Sequence, residues 1–150
     1  MTVSAHAIAN EFIKLAESEG KSLTNMQLQK LVLISQGYTL ALLDRPLYYH
    51  NTHAWQWGPV IPKLYKSLQK YGRNFVTEEL SAEDSLDKNS EEMEIVRGVW
   101  KGYGHLSGGQ LSALTHKPGT PWSVTWEKDK FGVIDQDLIE DHYKGIVASS

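Results

Sequence analysis

Between Leu23 and Leu43 the chain reads LTNMQLQKLVLISQGYTLALL, and no other stretch constrains the fold as tightly. Thr24 is a good N-cap, and Gln27 stands three residues on, where it can reach back to the cap's own N–H as a capping box. Leu23 and Leu28 flank the cap at the spacing of a hydrophobic staple. On a helical wheel, Leu28, Leu31, Val32, Ser35, Tyr38, Thr39 and Leu42 share one face. Met26, Leu33 and Leu40 form a second, and Ile34 and Ala41 a third. Only Gln29 with Gln36, and Lys30, leave polar gaps. A helix apolar almost all round is buried on most sides. Lys30 and the interruptions argue against a membrane span. The expectation is a mainly α, single compact domain built around this helix.

The 150 residues suit one domain over 1–150, a size that buries about 70% of its unfolded surface. A net charge of −3 offers no overall basic field for nucleic acid or anionic lipid. The absence of cysteine rules out disulfides, thiol catalysis and thiolate-based zinc sites. The start MTVSAHAIANEF lacks a basic and apolar leader, so a cytoplasmic protein is expected.

A first helix is predicted from Ser4 to Ser18, with Ala5, Ile8, Phe12, Leu15 and Ala16 inward and Asn10, Lys14 and Glu17 outward. After the turn at Asp44-Arg45-Pro46, Leu47–Tyr49 and His53–Gln56 read as strands of a small hairpin turning at His50-Asn51-Thr52. Gly58-Pro59 reads as a break, and Pro62 as the start of a third helix to about Lys70. Its exposed side carries a basic stripe, Lys63, Lys66, Lys70 and Arg73. Eight acids lie between Glu78 and Glu94, so Thr77–Ser90 is expected to be an exposed, mobile loop. Ser90, or Asn89 with Glu92, caps a helix through Tyr103. Ser107 and Gln110 form another capping box, stapled by Leu106 and Leu111, for a helix over Gly108–Thr115. Thr120-Pro121 starts a turn carrying Trp122 and Trp126, and Asp135 caps a last helix ending near Tyr143.

Catalytic and metal signals are weak. His50-x-x-His53 points its imidazoles to opposite faces if extended, and has no nearby carboxylate or thiolate ligand. Gly108-Gly109 after Ser107 resembles an anion-binding helix start, but the capping box already uses those amides. His116, at a helix end without a Ser or Asp partner at motif spacing, reads as a structural group that bonds the last carbonyls. No metal or cofactor is expected. The basic stripe falls short of a nucleic-acid recognition motif.

Several short patterns stand in a specific order. They are Thr24-x-Met26-x-Leu28-Gln29-Lys30-Leu31, Ser35-Gln36-Gly37-Tyr38, and Ala54-Trp55-x-x-Gly58-Pro59-Val60-x-Pro62-x-Leu64-Tyr65. Tyr71-Gly72, Leu111-Ser112-x-x-Thr115-His116 and Pro121-Trp122 follow. Together, over residues 7–143, they resemble the Panacea domain, a family of SocA-like antitoxins and phage-associated proteins of the GepA type. The resemblance implies a small helical domain without catalytic chemistry that neutralises an adjacently encoded toxin by binding it. It implies mainly structural roles for Thr24, Gln27, Leu28, Lys30, Leu31, Gln36, Gly37, Trp55, Gly58, Pro59, Tyr65, Thr115, His116 and Trp122.

The functional expectation is therefore a non-enzymatic antitoxin whose partner is a cognate toxin protein, with no nucleic acid or membrane partner and with self-association left open. The expected contact surface is Tyr48, Tyr49, Lys63, Lys66, Lys70 and Arg73, combining aromatic anchors with the basic helix; the alternative is the acidic Glu78–Glu94 region, which could cover a basic toxin cleft as a phosphate mimic. One rival is a phage or prophage regulator that binds a host protein, or nucleic acid through the stripe. A second is a hydrolase centred on His116.

Overall fold

The computed structural model describes residues 2–150. The central helix, α2 (Asn25–Leu43), begins with the full capping box: Thr24 accepts from Gln27 N–H, and the Gln27 side chain accepts from the Thr24 N–H. Leu28, Leu31, Val32 and Ile34 are completely buried, so the helix is covered on every side through its middle. Its cover is α1 (Ala5–Ser18), α4 (Glu91–Tyr103), α5 (Gly108–His116) and α7 (Gln136–Ala148). Gly37 lies under the Tyr143 ring of α7 with no room for a methyl group. That contact lets the two backbones approach closely. Leu42, expected on the buried face, is 54% exposed. Asp44, at φ 57°, terminates the helix in the left-handed conformation.

Ser4 caps α1, Ser90 caps α4, a second capping box at Ser107 and Gln110 starts α5, and Thr120-Pro121 opens α6 (Pro121–Lys128). The third helix is shorter than expected: α3 (Pro62–Leu68) tightens into a 3-10 turn at Gln69–Tyr71. The last helix is longer, running beyond Tyr143 to Ala148 with a Lys144–Glu140 ion pair of 2.6 Å along it.

The hairpin exists but is shifted. It pairs β1 (His53–Trp55) with β2 (Gly58–Val60) around a two-residue Gln56-Trp57 turn, with Ala54 opposite Pro59. The supposed break at Gly58-Pro59 is thus a strand. Gly58 supplies φ +121°, a conformation L side chains rarely adopt. Both backbone groups of Ala54 bond the far side, its N–H to Gly132 O and its carbonyl to Phe131 N–H. The Ala54–Pro59 pair therefore has no ladder bond to make, and the proline's missing N–H is harmless. Leu47–Tyr49, read as the first strand, bonds elsewhere. Val3 N–H donates to Leu47 O, and Val3 pairs with Tyr48 in a parallel bridge.

The acidic connection before α4 is fastened at several points. Asn10, expected to face solvent, is buried and both donates to and accepts from the Leu80 backbone. Asp84 accepts from the Ser4 N–H at 2.7 Å and hydroxyl at 2.6 Å, and Leu86 is buried. Glu92 is buried too, with Arg45 Nε at 2.9 Å. Most of residues 77–90 is exposed as expected, and the tethers were not legible because they are single side chains spaced far apart in sequence, without periodicity.

Candidate functional site

The two capping boxes bring two helix starts together. Gln27 Nε2 donates to Leu106 O at 3.2 Å, just ahead of α5, and Gly108 lies against Met26. Opposite them stand the hairpin and the end of α3. Trp55 and Tyr65 meet edge to face at 5.1 Å. Between these walls runs an open groove of about 810 Å³, which includes Trp57, Val60, Gln69 and Arg73 in its lining. Trp57 is 71% exposed at the hairpin turn, and Met26 is 45% exposed on the facing wall.

Lys30 lines the groove from the buried side of α2, only 3% exposed. Its Nζ donates to Pro59 O at 2.6 Å. This is the outward carbonyl of the strand pair that makes no ladder bond. A Cβ on Gly58 would stand 3.2 Å from the same ammonium, so glycine also makes room for it. An ammonium has three donors. Among the described residues Lys30 finds one acceptor and no carboxylate. Burial pulls its pKa down to about 8, which leaves it mainly charged at neutral pH. The groove lining contains Lys30 and Arg73 and no acidic residue.

Most of the other motif residues hold this arrangement up. Gln29 accepts from Ile61 N–H at 2.9 Å, fixing the strand's exit. Trp122 donates its indole N–H to Trp55 O at 2.6 Å and stacks on His116, ring centroids 3.9 Å apart. His116, expected to bond helix carbonyls, is thus an aromatic packing partner. Thr115 bonds back to Leu111 O at 3.0 Å within its own helix. Gln36 lies outside the groove, deeper in the core. Its Oε1 accepts from the N–H groups of Leu47 and Tyr48, and its Nε2 donates to Tyr48 O.

The expected surface is brought together only in part. Tyr48 is completely buried, its hydroxyl 3.0 Å from Thr52, because Gln36 and Val3 hold its backbone against the core. This corrects its reading as a surface anchor. Tyr49 is 61% exposed and rests on His50. Lys63, Lys66, Lys70 and Arg73 are all exposed, with Lys70 Nζ 3.9 Å from Glu78. Sequence reasoning missed Trp57 and Met26 as groove walls. A bulky aromatic in a tight turn, where polar residues predominate, was the available signal.

The histidines do not converge on a metal. His50 Nδ1 accepts from Ala5 N–H, whereas His53 bonds Phe131 O. Among the described residues no cluster of three potential ligands exists. His6 Nε2 and Ser67 Oγ lie 2.8 Å apart. Asp84 accepts from the Ser4 N–H and hydroxyl, and among the described residues no hydrogen bond joins an acid to the His6–Ser67 pair. Among the described residues no helix is long and apolar enough to cross a membrane.

The family model described as "Antitoxin SocA-like, Panacea domain" matches residues 28–123. Among curated proteins, Antitoxin SocA of Caulobacter vibrioides (strain NA1000 / CB15N) is 29% identical over 132 residues, covering 82% of this chain and 70% of that protein. No solved structure matches.

Proposed function

This chain belongs to the SocA-like Panacea family of antitoxins, and from that premise we propose that it neutralises a cognate toxin by binding it directly and covering its working surface. The observation that carries the reading is Trp57, a 71% exposed tryptophan at the mouth of a large groove in a chain of an antitoxin family. Exposed aromatics and arginines, here Trp57 and Arg73 in the lining of one groove, are the side chains that dominate interface energies. Exposing it in a free protein has a cost in solubility that a partner relieves.

The activity is non-enzymatic and takes place in the cytoplasm, where a toxin would act. Tyr49 and the stripe Lys63, Lys66 and Lys70 form the outer part of the contact, with Arg73 belonging both to the stripe and to the groove. Nucleic acid is not the partner. The chain is net acidic, and Lys70 is partly answered by Glu78.

The test is to express each neighbouring reading frame with and without this chain and to score growth. One frame should arrest growth alone, be tolerated with the chain present, and copurify with it as a complex. A chain that rescues no neighbour, or rescues without forming a complex, contradicts the reading.

A further inference from the structure

We infer that the groove beneath Trp57 receives an apolar protein segment carrying a carboxylate, and that this carboxylate docks on Lys30. The inference deepens the antitoxin reading by specifying the chemistry of the toxin surface, and it rests on that partner being a protein.

Two observations converge on an acidic occupant. Lys30 is a buried ammonium with one carbonyl partner and no counter-charge among the described residues. Burying a charge is costly unless it is paired, and paired charges in such places are held by several bonds. The lining adds Arg73 and no acid, although acids outnumber bases in the chain, 18 to 15.

The walls choose the rest of the occupant. Met26, Trp55, Trp57 and Val60 offer apolar surface on both sides of the charge. That suits an acidic side chain with aliphatic or aromatic neighbours. A phosphate has no apolar surface and would leave these walls uncovered. A carboxylate entering here would accept from the free donors of Lys30 while Pro59 keeps the third.

The test displays a library of short random peptides against the intact chain. Selected peptides should carry Asp or Glu beside apolar residues. One of them, resynthesised, should lose at least about thirtyfold in affinity on Lys30→Met, and equally when its own acid becomes the amide, since unpairing a buried charge costs that much. Because Lys30→Met can repack the floor, Trp57→Ala serves as the second variant. It alters only an exposed side chain and should also weaken the peptide. A library yielding no binders, binders without acids, or binders indifferent to both variants overturns the inference. So does a short single-stranded oligonucleotide that binds through Lys30 and Trp57. Growth rescue by a toxin, scored separately, tells a failure of this inference from a failure of the antitoxin reading.

Discussion

Of the polar residues that interrupt the apolar surface of α2, the chain treats Gln36 and Lys30 oppositely. At the C-terminal half, Gln36 is 1% exposed and both ends of its amide are used, clamping the backbone of Leu47 and Tyr48. At the N-terminal half, Lys30 is nearly as buried but has a single carbonyl to bond and faces a groove. A buried polar group with all its partners fixes a structure. A buried charge with donors to spare is destabilising in the free protein, and such a residue is explained by something that arrives from outside. On the inference drawn above, the same helix carries a structural polar site and a recognition site two turns apart.

The largest effect should come from Gln36→Leu. It strands three buried backbone groups, and roughly 4 kcal/mol of unfolding free energy should be lost. Chemical denaturation measures it, and a neutral result would show that the Leu47–Tyr48 segment can find other partners. Next comes Leu31→Ala on the completely buried face between the two sites, expected to cost about 3 kcal/mol through its cavity.

Lys30 behaves differently in both sign and pH dependence. Its folded-state pKa, about 8, lies below the 10.5 of a free lysine. Between those values the unfolded chain binds a proton that the folded one does not, so stability should rise with pH through that window. The penalty is fully present below pH 8. Lys30→Met should remove that rise, worth roughly 2–3 kcal/mol by pH 10, while leaving the protein at neutral pH as stable as the parent or more so. Denaturation curves at several pH values decide it. A parallel pH profile in parent and variant would mean that Lys30 is solvated rather than buried.

Smaller effects bound the comparison. Thr24→Ala removes one acceptor of the capping box at the groove's edge and should cost about 1 kcal/mol in thermal or chemical unfolding. Reversing Lys66 and Lys70 to Glu should change stability by only a few tenths of a kcal/mol, because both are exposed. If the stripe is the outer contact, that pair of changes should slow toxin association and alter its salt dependence. Rescue unaffected by the reversal would confine the contact to the groove.

Local chemistry was well legible in the sequence. The caps at Thr24, Ser90 and Ser107, and the burial of Leu28 and Leu31, follow from short-range spacing that tertiary structure had no reason to overrule. What failed depended on partners distant in the chain. Tyr48 looked like a surface aromatic because nothing nearby in sequence shows that Gln36 and Val3 will hold it inside. Asn10 looked outward because its partner Leu80 lies 70 residues on. Gly58-Pro59 looked like a break because the harmlessness of that proline depends on Ala54 bonding Gly132 instead. Lys30 was visible as a gap in the apolar pattern and was read with the structural motif. Its spare donors became evident only with the hairpin in place.

The most direct test of this division of labour is growth rescue by Lys30→Met beside the parent, both confirmed as folded by their unfolding transitions. The account predicts a variant that folds at least as well as the parent and fails to protect cells from the cognate toxin. Full protection by that variant would contradict it and return Lys30 to the structural core alongside Gln36.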